Sequence, residues 1–160
     1  VAWHLPYASE FGPQALVCEV TLRPVLMPAR KVRLGQLLEE PGFGDYTQAC
    51  CWALDADEAR AEKVRAALTR NAVRDFFDLA ELHAADADLK SPGFRKLVDR
   101  KLSELAAPSL ADQSLASGMN PKRLAELRMS LARDLPGVVR LDTPPFDLDR
   151  TIEILDALWR

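Results

Sequence analysis

A chain of 160 residues with 48% hydrophobic and 28% charged side chains can bury one globular core and is short for two full domains. Its formal charge of −3 and pI near 5.4 exclude a global basic field, so any binding of nucleotide or nucleic acid has to come from a local patch. Cys18, Cys50 and Cys51 are odd in number and form no CxxC, which argues against a disulfide framework or a zinc site and for a reducing, cytoplasmic setting; no apolar run reaches the roughly 18 to 20 residues of a membrane span, and no secretory signal pattern opens the chain.

In chain order, the stretch QALVCEVTLRPV (14–25) alternates Leu16, Cys18, Val20 and Leu22 with Val17, Glu19, Thr21 and Arg23. This period of two predicts a strand, ended by Pro24 and Pro28. VRLGQLL (32–38) reads as a second short strand or one helical turn. Pro41, Gly42 and Gly44 make 39–47 a loop. QACCWAL (48–54) is short and apolar, as a buried strand is.

From Asp57 onward the period becomes helical. Asp55 or Asp57 caps a first helix whose inward stripe is Ala61, Val64, Ala67 and Leu68, and which ends near Asn71 in a left-handed turn. A second helix spans about Val73 to Ala85 with Phe76, Phe77, Ala80 and Ala84 inward. A third follows SPGF from about Phe94 to Ala106. Helices are also predicted over Leu110–Ser117 and Pro121–Arg133, joined at Gly118 and Asn120. Asp147 is the expected N-cap of the last, DLDRTIEILDALW, seamed by Ile152, Leu155 and Leu158. The prediction is an α+β protein with a strand-bearing part over 1–56 and an antiparallel helical part over 57–160.

Charge collects where the first two helices meet. Residues 58 to 78 hold Glu58, Arg60, Glu62, Lys63, Arg65, Arg70, Arg74, Asp75 and Asp78. On one unbroken helix Lys63, Arg70 and Arg74 share a face within about 40°, with Asp75 roughly 120° from Lys63. A break at Asn71 removes that constraint. Lys63 then reaches from one helix, and Arg74 and Asp75 from the first turn of the next, toward one cleft where exposed helix N–H groups suit phosphate oxygens. The plainer alternative is a pair of amphipathic helices with solvated charges, Arg74 and Asp78 forming an i, i+4 pair. His4 and His83 lack metal-ligand spacing, and the serines show no nucleophile elbow.

The order DEARAEKVRAALTRNAVRDFFDLAEL resembles the AbiEii/AbiGii abortive-infection nucleotidyltransferase toxin family. That family carries a lysine, an arginine at helical spacing, and an arginine–aspartate pair leading a helix of the form RDxxDL, matched here by Lys63, Arg70, Arg74-Asp75 and Asp78-Leu79. ALVCEVTLRP looks like the family's third core strand with its acidic residue, Glu19, and PPFD precedes a final helix as in the family. The resemblance implies a nucleotidyltransferase-like β region over 1–56, followed by a helical bundle. It also implies Mg2+-dependent transfer from a nucleoside triphosphate to an acceptor such as RNA, and a cognate antitoxin partner. On it, Asp75 and Lys63 are catalytic, Lys63, Arg70 and Arg74 bind phosphate, and Glu19 faces the metal. The residue types suit that chemistry, because magnesium takes hard carboxylate oxygens while lysine and arginine hold phosphate as point charge and fork. The family's glycine-serine turn and strand with two aspartates one residue apart are absent. Asp55-Ala-Asp57, Asp86-Ala-Asp88 and Asp147-Leu-Asp149 fall instead at predicted helix ends, where aspartate caps. The expectation is that the chain corresponds to the part after that signature. The alternative is a non-catalytic helical module that binds an antitoxin partner or RNA.

Overall fold

The computed structural model describes residues 2–9, 12–20, 22–33, 50–85, 87–112, 119–135 and 145–159. Strand β1 (Ala2–Ser9) pairs antiparallel with β2 (Gly12–Glu19), from Ala2 opposite Glu19 to Ser9 opposite Gly12. Gly12 sits at φ 100°, which a residue with a Cβ adopts only under strain. The sequence reading missed β1 although Trp3, Leu5 and Tyr7 alternate correctly. Pro6 hides it, and proline is tolerated because a two-stranded sheet has only edge strands.

β2 begins before the predicted strand and stops at Glu19 rather than near Pro24. The physical reason is that the backbone after it finds side-chain partners instead of a ladder. The amides of Leu26 and Met27 each donate to the Glu58 carboxylate at 2.8 Å, and the Pro24 carbonyl accepts from Lys101 Nζ at 3.1 Å. This segment leads into β3 (Arg30–Arg33), which pairs antiparallel with β4 (Cys50–Ala53). β3 starts two residues ahead of the VRLGQLL stretch, whose last five residues lie outside the described ones, as do 39–47. β4 is not the buried strand expected, since Trp52 is 73% exposed.

Five helices follow among the described residues: α1 (Ala56–Thr69), α2 (Val73–Ala84), α3 (Pro92–Ser103), α4 (Pro121–Asp134) and α5 (Leu148–Trp159). Local chemistry sets their starts. Asp55 accepts from the Asp57 amide, Ser91 from Phe94 and Asn120 from Arg123, and Asp147 accepts from Arg150 as predicted. α3 ends at Ser103, short of Ala106, because the Leu105 and Ala106 amides bond three residues back and Ala106 turns to φ 51°. Of the helix predicted over Leu110–Ser117, only the turn at 110–112 is described.

α1 packs on α2 and α3, and α2 also meets α4 and α5. Their apolar stripes meet at Ala61, Val64, Phe76, Leu79, Val98, Leu102, Leu127 and Leu155, each fully buried. Every large side chain sealed there contributes about 1.5 to 3 kcal/mol. The β1–β2 hairpin adds nothing to this cluster, and Trp3, Leu5, Tyr7 and Leu16 stay half-exposed. The architecture is α+β, with two small antiparallel sheets beside a helical core among the described residues.

Candidate functional site

The site begins with the break between α1 and α2. α1 stops because Arg70 is extended (φ −124°, ψ 161°), and Ala72 is extended as well (φ −119°, ψ 111°) before α2 starts at Val73. Extended backbone on either side of Asn71 makes the turn, where a left-handed Asn71 was expected; the Asn71 side chain bonds instead to Arg123 and Glu126 of α4. The three linking residues reorient the helix, so the angles that separate Lys63 from Asp75 on one continuous helix no longer apply.

A cleft of about 350 Å3 opens beside this hinge. Lys63, Arg70 and Asp75 all line it, with Arg23 from the segment after β2, Glu58, Glu62 and Arg65 from α1, and Lys101 from α3. Lys63 Nζ lies 3.8 Å from Asp75 Oδ1 and 2.5 Å from Asp78 Oδ2. Asp75 is 3% exposed, and its Oδ2 has no hydrogen-bond partner. Burial pushes the Asp75 carboxyl above its ordinary range, and the nearby Lys63, Arg70 and Arg74 only partly draw it back.

The opposite wall behaves differently. Lys101 Nζ stands 2.6 Å from Glu58 and 3.2 Å from Glu62, while Arg65 holds Glu62 at 2.7 Å. Burial opposes the charge on Glu58, but hydrogen bonds from Lys101, Leu26 and Met27 outweigh it and hold that carboxyl below its ordinary value. For Glu62, burial is likewise outweighed, by Arg65 and Lys101. The walls thus carry five cationic side chains (Arg23, Lys63, Arg65, Arg70, Lys101) against three carboxylates (Glu58, Glu62, Asp75). On the wall itself cationic side chains outnumber carboxylates by two, while Asp78 at 2.5 Å from Lys63 and Glu104 at 3.7 Å from Lys101 stand behind it.

Arg74 is exposed and off the cleft wall, although its charge reaches Asp75. Glu19 closes β2 opposite Ala2, and its side chain lies outside the described residues. Lys101 was missed from sequence; the available signal was a lysine on the inward face of α3, three residues after Val98 and beside Leu102. His83 lines a separate groove between α2 and α5 with Phe77 and Phe146.

The described residues do not by themselves fit a magnesium site. Asp75 offers one buried, unpartnered carboxylate oxygen among cations, Glu58 and Glu62 are committed to Lys101 and Arg65, and no group of three metal-ligating side chains occurs among the described residues.

The broken helix pair of this α+β chain thus gathers a lysine, an arginine and a buried, half-unsatisfied aspartate around one cleft. The sequence model described as "Nucleotidyl transferase AbiEii toxin, Type IV TA system" matches residues 1–154, and the chain belongs to this family of nucleotidyltransferase toxins of toxin–antitoxin systems. No curated protein and no solved structure gave a match. Among the described residues no helix is long and apolar enough to cross a membrane.

Proposed function

We propose that the hinge cleft holds the phosphates of a nucleoside triphosphate during nucleotidyl transfer to an acceptor such as RNA. The observation that carries this reading is the convergence of Lys63, Arg70 and Asp75 on one cleft whose walls have a surplus of positive charge. Lys63 supplies a point charge and Arg70 a planar fork for phosphate oxygens, with Arg74 adding long-range attraction from outside the wall. Asp75 is the catalytic or orienting carboxylate. Its Oδ2 is buried without a hydrogen-bond partner, so it has the capacity to accept a proton or hydrogen bond once substrate binding brings a hydroxyl to it. A metal dependence, suggested in general by the family, would need carboxylates beyond the described cleft, because Glu58 and Glu62 are committed to Lys101 and Arg65. Glu19 is the proposed further acidic residue. The chain divides on this reading into a partial nucleotidyltransferase core over 1–56 and a helical domain over 57–160, working in the cytoplasm beside a cognate antitoxin.

Calorimetric titration of ATP and of inorganic triphosphate into the chain tests the cleft. Binding should weaken about tenfold or more in Lys63→Ala and in Arg70→Ala, as expected for loss of a charged hydrogen bond. Absence of binding, or variants that bind as tightly as the parent, would refute the phosphate assignment.

A second reading, a non-catalytic module that binds an antitoxin, is favoured by one observation: Trp3, Leu5, Tyr7 and Leu16 leave an apolar hairpin half-exposed. It predicts partner binding insensitive to nucleotide and magnesium.

A further inference from the structure

The hinge that creates the cleft is not closed by its own helices. α1 has no basic residue in its last turn to meet its terminal carbonyls, and Ala72 gives α2 no side-chain cap. The closure comes from α4, more than fifty residues later in the chain. Arg123 donates through Nη2 to the carbonyl oxygens of Ala67 and, at 2.9 Å, Arg70, and through Nε to Asn71 Oδ1 at 3.1 Å. Its guanidinium carbon lies 6.0 Å from the ring centre of Phe76, the neighbour of Asp75. Asn71 is held in turn, its Nδ2 donating to Glu126 Oε2 at 2.6 Å.

One side chain therefore holds the last turn of α1 and the linker by hydrogen bonds and lies over Phe76 in the first turn of α2. We propose that Arg123 is a positioning residue of the cleft: its fork sets the angle between α1 and α2, and with it the separation of Lys63 from Asp75 and the placement of Arg70. This rests on the reading of the cleft as a phosphate site. A guanidinium suits the task because it is planar and serves two carbonyls and a side-chain amide at once, next to the negative end of the α1 dipole. A lysine has no such fork. The gap it governs is sensitive, because at 3.8 Å Lys63 and Asp75 sit just beyond hydrogen-bond contact, where a small rotation of α2 makes or breaks the pairing.

The full chain serves for the test, with Arg123→Ala, Arg123→Lys and, as control, Arg128→Ala. Arg128 lies on the same helix but faces Asp149 at the surface. Two quantities are read at a temperature where each variant is folded: the titration midpoint of the Asp75 carboxyl by carbon-13 NMR, and the dissociation constant for inorganic triphosphate. In Arg123→Ala the Asp75 midpoint should move down toward the ordinary aspartate range as the cleft loosens and hydrates, and the dissociation constant should rise about tenfold. Arg123→Lys should recover part of both, and Arg128→Ala should alter neither. Should Arg123→Ala fail to fold, Arg123→Lys carries the same two measurements. A folded variant that melts earlier yet keeps the parental midpoint and affinity makes Arg123 a stabilising residue only, and overturns the proposal. If the parent chain itself binds no triphosphate, the phosphate reading falls, while the Asp75 midpoint still decides the role of Arg123.

Discussion

Lys101 Nζ lies 2.6 Å from Glu58 Oε1, and the two side chains are 2% and 0% exposed. Glu58 also receives the amides of Leu26 and Met27, and Lys101 donates to the Pro24 carbonyl, so this buried pair ties the segment between the sheets to α1 and α3. Removing one partner strands a charge away from water. Lys101→Met should cost about 3 to 5 kcal/mol in urea denaturation, and the double variant Lys101→Met, Glu58→Gln should recover part of that loss. A Lys101→Met chain as stable as the parent would mean that water or another group compensates Glu58.

Acid should loosen the same junction. Glu58 and Glu62 have folded pKa values below their ordinary 4.5, as Asp55 has below 3.8, where the Asp57 amide is the main cause, burial opposes it and Arg30 assists. The unfolded chain therefore takes up protons first. The stability these carboxylates contribute is complete above about pH 4.5 and drains away as pH falls through their lower folded values. Denaturation midpoints measured from pH 7 to pH 3 should fall steeply below about pH 4.5, and Glu58→Gln should flatten the curve.

Asp75 has the opposite sign. Its folded pKa is raised, chiefly by burial, so near neutral pH the folded state holds a charge that the unfolded state hydrates more easily. Asp75→Asn should melt at a higher temperature than the parent at pH 7, with the gap narrowing as the pH drops and Asp75 itself protonates. A gain in stability on removing a site carboxylate is the pattern expected where function keeps a strained group. An Asp75→Asn chain that melts earlier at pH 7 would show that Lys63 and Arg70 outweigh desolvation there.

How much of this could be read from the sequence depended on the range of the interaction. The helices were legible because their stripes and caps are local: Ser91 before Pro92, Asn120 before Pro121 and Asp147 before α5 all act within three residues. The Lys63, Arg70 and Asp75 grouping could be read for a similar reason, since twelve residues and one break enclose it. β1 stayed hidden because Pro6 argues against a strand until one knows that it lies on an edge. The end of β2 was missed because its backbone partners, Glu58 and Lys101, lie more than thirty residues away. Arg123 gave no signal at all. An arginine on an amphipathic helix looks solvated until the carbonyls of Ala67 and Arg70 are seen against it.

Lys63 is shared unequally, 2.5 Å from Asp78 and 3.8 Å from Asp75, and this leads to a gain-of-binding prediction. An anion entering the cleft has to draw the ammonium away from Asp78, and the Asp78 charge also helps raise the Asp75 carboxyl. Asp78→Asn removes both effects. The pair is more than a third exposed on each side, so its strength belongs with surface ion pairs of about 0.2 to 1 kcal/mol. Inorganic triphosphate should therefore bind about two- to fivefold more tightly to Asp78→Asn, with the advantage shrinking in high salt, while the Asp75 midpoint moves down. Weaker binding in this variant would instead make Asp78 a holder of Lys63 in its working position, and the hinge cleft would then need both aspartates to bind phosphate.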